Sequence, residues 1–400
     1  MKKLNLLSKT FIFIIFFVLI FVIIKTGLIT FHVIDFYKGD NWKVVEKSDD
    51  PIYDKIMSVE ANIENRINNY FPLYQNINSI YYNSIIDIDS LYLRDIYLKN
   101  NSDNEKIFYT PDNYYRYYIV NNYNSDELDK RLNSQLDFYN NLVNKYQDVN
   151  FYMYMPLRYE INSFTNINGI YNKYQEFRNK IDSRFKIDAL EANDFEEYDR
   201  YFYKTDHHLS PVGAKKAYID LLKLLEIDKD IDEEDLYVKY FYSPYYGSMA
   251  KSLLSKTTED SFGAIIKPNY LEDGTLEVNI KDKKFKPLTF NYKENNDFYD
   301  YYVGYFDGQY DEVIYTNNNT KSNDNLLIIS DSLAWQVDYL LASNYKNTYV
   351  VNLRYGKFKD GILDLESYLK DNNIKNVLFM QEAEVELFDI YNFNTARKVK

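Results

Sequence analysis

A chain of 400 residues can bury a sizeable core in one large domain or two ordinary ones, with no need of covalent staples. Its 47 Lys and Arg stand against 60 Asp and Glu, and the net charge of -13 repels a phosphate backbone, which excludes a general nucleic-acid binder. Cysteine is absent, so disulfides, cysteine-ligated metal centres and thiol nucleophiles are excluded as well. The 44 tyrosines read first as compositional drift and second as aromatic platforms for sugar rings.

Residues 1–9 are short and basic, with Lys2, Lys3 and Lys9 ahead of an uninterrupted apolar run from Phe11 to Ile24. A bilayer core of roughly 30 Å needs about 20 helical residues. The segment 10–31 supplies them if Lys25 snorkels to the far interface, and the basic flank favours a cytoplasmic N-terminus. The small-residue pattern of a signal-peptidase site fits poorly around Thr26-Gly27-Leu28, so the expectation is an uncleaved single-pass anchor with the rest of the chain outside the cytoplasm. Residues 32–51 then form a charged stem ending at Pro51, and an extracytoplasmic domain spans 52–400.

Within that domain Ile52, Ile56, Val59, Ile63 and Ile67 predict an amphipathic helix over 52–70. A second helix opens at Ser125, with Asp126 and Glu127 in its first turn and Leu128, Leu132, Leu136, Tyr139 and Val143 on one face. A strand over Val149–Met155 follows, stopped by Pro156. Helices are then expected over 210–225, 333–345 and 361–371, and strands over 325–330, 348–353 and 376–380. The stretch 235–315 lacks helical periodicity and reads as a β-rich insertion. Short apolar strands alternating with helices predict an α/β fold with a buried parallel sheet.

Two places carry chemistry. Only three histidines exist, His32 in the flank of the expected anchor and the adjacent His207 and His208, which follow Thr205 and Asp206. Ser210 is a good N-cap and Pro211 a good first helical residue, so the Asp-His-His string lies on a loop entering a helix. Such a loop could serve only as a hydrogen-bonded helix entry. A metal site would need carboxylates to complete it, and none is expected here. The second place is Ile329-Ser330-Asp331-Ser332, where a strand runs into a helix and projects Ser332 at the end of a parallel strand. Alone, Asp-Ser after a strand is as much a helix cap as a site. Paired with the Asp-His-His loop it becomes a triad candidate, with Ser332 as nucleophile, one histidine as base and Asp206 as its orienter.

Thr205-Asp206-His207-His208 followed by Gly213-Ala214, ahead of Asp331-Ser332, resembles the DHHW proteins, relatives of the alginate O-acetyltransferases in the SGNH-hydrolase-like group. Weaker agreements are Asn69-Tyr70-Phe71-Pro72-Leu73, Tyr246-Gly247-Ser248 and Val351-Asn352-Leu353-Arg354-Tyr355-Gly356; the departure is Leu209, where the pattern has Trp. The resemblance implies an SGNH-like, flavodoxin-like sheet with helices on both faces, and a motif order permuted relative to ordinary SGNH esterases. It implies His208 as the base, with His207 and Thr205 behind it, and the Ser332 N–H as an oxyanion donor. Gly356, Arg354, Arg158 and Asn162 are candidates for the oxyanion hole or substrate contacts. The implied activity is acetyl transfer to a cell-surface or secreted polysaccharide, without a cofactor, served by a membrane-bound O-acyltransferase as acetyl supplier. A polysaccharide acetyl esterase and a non-catalytic polysaccharide-binding protein on the same fold remain open alternatives.

Overall fold

Strands that are apolar at every position must be covered on both faces, and that requirement organises this chain. In the computed structural model the described residues are 96–100, 106–109, 115–118, 124–227, 236–267, 276–280, 283–285, 298, 301–302, 310–359, 362–389 and 399. The expected anchor, stem and 52–70 helix lie outside them, and among the described residues no helix is long and apolar enough to cross a membrane.

A small antiparallel sheet comes first, β1 (Ile96–Asn100), β2 (Lys106–Tyr109) and β3 (Tyr115–Tyr118). Helix α1 (Ser125–Lys145) follows. Its N-cap is Asn124, one residue before the expected Ser125, and the Asn124 side chain accepts the Glu127 N–H at 2.8 Å. Then come β4 (Asn150–Pro156), α2 (Ile170–Lys180), β5 (Phe185–Leu190), α3 (Phe195–Tyr201) and α4 (Pro211–Leu224). Next are β6 (Tyr237–Tyr245), α5 (Ser248–Leu253), β7 (Asp260–Ile266), β8 (Leu276–Ile280) and β9 (Lys283–Phe285). The chain continues through β10 (Glu312–Asn317), β11 (Asn325–Ser330), α6 (Asp338–Leu341), β12 (Asn347–Val351), α7 (Gly356–Lys359), α8 (Leu365–Asp371), β13 (Asn376–Met380) and α9 (Ala383–Phe388).

The central sheet has eight strands in the order β5-β4-β13-β11-β12-β10-β8-β9. The run from β5 to β12 is parallel, and β10, β8 and β9 extend it antiparallel. Part of the expected 235–315 insertion is therefore an edge of the main sheet, while β6 and β7 form a separate antiparallel pair. Read from β12, the parallel part runs β12-β11-β13-β4-β5, the flavodoxin-like 2-1-3-4-5 order with its last two strands moved to the front of the chain. In that order the switch point lies beside β11, whose neighbours β12 and β13 both follow it in sequence.

Alternate residues of each parallel strand feed two separate cores. Tyr152, Tyr154, Leu326, Ile328, Leu378 and Met380 face the layer holding α3, α4 and α6. Phe151, Met153, Leu327, Ile329, Val377 and Phe379 face the layer holding α1, α2, α8 and α9. Helices thus cover both faces of a mostly parallel sheet.

The expected 333–345 helix is broken into a 3-10 turn over Ser332–Gln336, α6, and a second 3-10 turn over Ala342–Asn344. Local side chains compete for the backbone there. Asp331 takes the Leu333 N–H at 2.8 Å, and the buried Asp338 takes the Tyr339 N–H at 2.6 Å and the Tyr315 hydroxyl at 3.0 Å.

Helix α9 buries two carboxyls, Glu384 and Glu386. Glu386 pairs with the Tyr139 hydroxyl. Burial, reinforced by Asp331 and Asp389 and opposed by that hydrogen bond, pushes its pKa from 4.5 up to about 8. The folded chain therefore holds a proton that the unfolded chain releases, so stability from this group is full below about 4.5 and is lost as pH rises to about 8. In Glu386→Gln the amide keeps an acceptor for Tyr139 without the titration. The urea midpoint of the wild type should fall more between about pH 5 and pH 8 than that of Glu386→Gln; parallel curves would show that Glu386 ionises freely.

Candidate active site

The Asp-His-His loop is held shut at its base and at its crown. An antiparallel bridge joins Phe202 to Leu209, and the Tyr203 N–H donates to the His208 carbonyl at 3.2 Å. Ser210 caps α4 by accepting the Gly213 N–H at 3.1 Å, with Pro211 in the first turn. At the crown, the Asp260 carboxylate accepts the Lys204 N–H at 3.0 Å, the Thr205 N–H at 2.8 Å and the Thr205 hydroxyl at 2.6 Å. The Thr205 oxygen in turn accepts the Gly247 N–H at 2.9 Å. Thr205 is thus a brace between the loop and the segment leading into α5.

Asp206 is buried, and four donors converge on it. His208 Nδ1 lies 2.6 Å and the His208 N–H 3.2 Å from Oδ1, while the Tyr245 hydroxyl and the Ser248 N–H each lie 2.7 Å from Oδ2. Burial alone would raise its pKa. His208, then His207 and Tyr245, more than offset that and hold the carboxyl well below the usual range, so Asp206 is ionised. An ionised carboxylate only accepts, so His208 Nδ1 carries the proton toward it, and the neutral ring then presents its lone pair at Nε2. That lone pair points at the Ser332 Oγ, 2.8 Å away. Residues 124 apart in sequence therefore form one relay, Asp206 to His208 to Ser332. Ser332 is half-buried, two residues beyond the C-terminal end of β11 at the switch point of the sheet.

His207 stands beside the relay. Its Nδ1 is 2.9 Å from the Ser248 hydroxyl and 3.3 Å from Asp206, and its Nε2 is 3.7 Å from Glu382. Burial first, and the neighbouring His208 second, lower its pKa to about 3, so it stays neutral. Asp206, His207 and His208 bring potential ligand atoms within 4.8 Å of one another, but these atoms are spent on each other, on Ser248 and on Ser332.

The remaining sequence candidates have other partners. Arg158 is buried and spans Glu382 and Glu384, at 3.0 Å each. Asn162 ties its own loop, donating to the Leu157 carbonyl and accepting the Ala192 N–H at 2.9 Å. Gly356 has φ +50, and a Cβ there would lie 2.2 Å from the Asp311 carboxylate, which also accepts the Lys357 N–H. Its freedom serves this turn. Arg354 lies three residues beyond Val351, the register partner of Ile329, as Ser332 lies three beyond Ile329; both overhang the same sheet edge. The Arg354 Nε donates to Asn352 at 3.2 Å.

Several residues around the site carried no sequence signal. Tyr245, Ser248 and Asp260 come from β6, α5 and β7, and of these only Ser248 falls in a string with a family resemblance, the weak agreement Tyr246-Gly247-Ser248. Gly247 shows why that string matters. A Cβ on it would lie 2.4 Å from the Asp206 Cβ and 2.7 Å from the Thr205 carbonyl, with no flexible chain end to yield. Gly247→Ala should push α5 off the loop and lower serine reactivity by roughly tenfold or more, since sites tolerate only fractions of an ångström. Titration with an active-site sulfonyl fluoride, alongside a melting curve, reads this directly; unchanged labelling rates would mean the loop absorbs the methyl.

No family model matches the chain, and no curated protein matches it. Solved structures do. Bacillus cereus PatB1, solved with a sulfonyl adduct, is 20% identical with a TM-score of 0.57, over 74% of this chain and 100% of that one. A DHHW family protein from Eubacterium siraeum is 16% identical with a TM-score of 0.52, over 75% of this chain and 98% of that one. This chain shares their fold.

Proposed function

We propose that this chain is a serine-dependent O-acetyltransferase whose acceptor is a cell-surface or secreted polysaccharide. The observation that carries the reading is the relay itself: Ser332 Oγ 2.8 Å from His208 Nε2, and His208 Nδ1 2.6 Å from an ionised Asp206. In the first half-reaction Ser332 Oγ attacks the acetyl carbonyl while His208 Nε2 takes its proton, and the leaving group departs with that proton. The second half-reaction reverses the roles. His208 deprotonates a sugar hydroxyl, which attacks the acetyl-serine and restores the Ser332 Oγ–H. Asp206 fixes the tautomer and stabilises the imidazolium in both. The Ser332 backbone N–H is the assigned oxyanion donor, with Arg354 at the same sheet edge as a substrate contact.

The resemblance in the Asp-His-His and Asp-Ser motifs, and the shared fold with a DHHW protein, support acetyl as the acyl group and a polysaccharide as the acceptor. The apolar segment 10–31 supports a single-pass anchor with the site outside the cytoplasm, where a membrane-bound O-acyltransferase would supply acetyl.

The test is a sulfonyl fluoride followed by peptide mapping, together with p-nitrophenyl acetate turnover with and without polysaccharide. Label at Ser332 and acceptor-dependent acetylated sugar are expected. Turnover indifferent to acceptor would convert the reading to an esterase, and an unreactive Ser332 would leave a binding protein.

A further inference from the structure

The imidazole of His208 has a second neighbour that its hydrogen bonds do not describe. The ring of Tyr302 stacks on it, with centroids 3.8 Å apart and planes 20° apart. Tyr302 is buried and clamped, its hydroxyl donating to the Leu209 carbonyl at 3.3 Å and its ring meeting Phe262 edge-on at 5.6 Å. The preceding Tyr301 stacks on Tyr242 of β6 at 4.2 Å, which anchors the pair from the other side. Leu209, the position where the family pattern has Trp, is wholly buried in the core. The aromatic face against the histidine thus comes from a segment about ninety residues downstream.

We propose that Tyr302 is a positioning residue that stabilises the imidazolium form of His208 through its ring face. This rests on the acetyltransferase reading only in giving that imidazolium a catalytic use. An aromatic face attracts a cation more strongly than it attracts a neutral ring, and the attraction to the cation grows when water is excluded. His208 is buried, so the interaction is not diluted by solvent. The contribution falls on the protonated state that exists after Ser332 gives up its proton, which is the state a general base must reach. The hydroxyl bond to Leu209 fixes the ring plane and does not touch the imidazole.

The other groups facing His208 are Asp206 on its own loop, His207 at 4.0 Å between ring centroids and Ser332 after β11. Tyr245 of β6 reaches it through Asp206, and Glu382 ahead of α9 acts through charge. None of these changes when only the electron density of the Tyr302 ring is altered.

The experiment uses the full chain with 13C-labelled histidine, which gives three imidazole signals to assign with His207→Gln and His208→Gln. Tyr302→Phe and a series of mono- to trifluorinated phenylalanines at position 302 keep the shape of the ring and drain its face. The His208 pKa in Tyr302→Phe should stay within about 0.2 units of wild type and then fall stepwise by roughly half a unit to one unit across the series. The acid limb of p-nitrophenyl acetate turnover should follow it. A flat titration across the series would overturn the proposal, as would Tyr302→Phe shifting as far as the trifluorinated ring. The titration reads the stack without turnover. A stepwise fall with no acetyl-enzyme would therefore leave the stack intact and sink the acetyltransferase reading, and a flat series with normal acetyl-enzyme would do the opposite.

Discussion

Ser332→Ala should lower acetyl-enzyme formation and acetyl transfer by roughly a thousandfold or more, and His208→Ala should fall to the same floor, because members of a relay that act as one unit do not add. The double variant should be no worse than either single one. Asp206→Asn carries a sharper expectation. The Oδ2 side of Asp206 meets two donors, the Tyr245 hydroxyl and the Ser248 N–H, so an amide there must keep its oxygen toward them. Its NH2 then faces His208, whose Nδ1 is forced to accept, and the ring proton moves to Nε2 opposite Ser332. A base with its lone pair turned away cannot take the serine proton, and the loss should approach that of Ser332→Ala with the fold intact. His207→Ala, which alters only a neutral neighbour, should stay within about tenfold of wild type. Acetyl-transfer rates measure all of these on one scale, and a Ser332→Ala protein that still transfers acetyl would remove the serine from the mechanism.

Much of this arrangement could be read from the sequence, and the reasons are specific. Strands buried on both faces leave an unbroken apolar run, so 325–330 and 376–380 are legible to the residue. Helices α1 and α4 announce themselves through acidic or capped first turns and a regular apolar face. The scarcity of histidine made 206–208 conspicuous, and the strand preceding Asp331-Ser332 fixed where that serine would project. β5 escaped because it is an edge strand whose Lys186 and Asp188 break the apolar run. α9 escaped because Glu384 and Glu386 look like a solvated face, whereas the structure buries both. The stretch 235–315 is legible as β-rich, and Leu276-Glu277-Val278-Asn279-Ile280 alternates cleanly, but the joining of β10, β8 and β9 to the main sheet is not, because it rests on the long-range pairing of β10 with β12. Tyr245 and Tyr302 could not be singled out among 44 tyrosines, since only the fold reveals which of them touch Asp206 and His208.

Arg158 shows how a residue can matter to the site without entering it, and its removal should produce the largest loss of stability. The guanidinium is 7% exposed and holds Glu382 and Glu384, 8% and 1% exposed. Burial drives the Glu382 carboxyl upward, but Arg158, then His207 and Arg354, bring it net below its usual range, whereas Glu384 stays raised. Arg158→Met strands two carboxyls in a dry core and should cost about 3–5 kcal/mol, the toll for breaking a buried pair from one side. The pH dependence has a definite sign. The depressed Glu382 contributes stability above its unfolded pKa that disappears on acidification. In the variant its folded pKa rises instead, so the folded state keeps a proton and loses stability as pH climbs. The gap between wild type and variant should therefore widen from acid to neutral pH in urea titrations. Adding Glu382→Gln and Glu384→Gln to Arg158→Met removes the stranded charge and should restore most of the loss. A single variant within about 0.5 kcal/mol of wild type at neutral pH would mean that water reaches the network. The restored triple variant then isolates the link to chemistry. The Glu382 N–H donates to Asp331 at 2.8 Å, Asp331 accepts the Leu333 N–H, and Glu382 lies 3.7 Å from His207, so this network underlies both Ser332 and the histidine loop. With stability recovered, any remaining deficit in serine reactivity measures how firmly those charges hold Ser332 in line with His208.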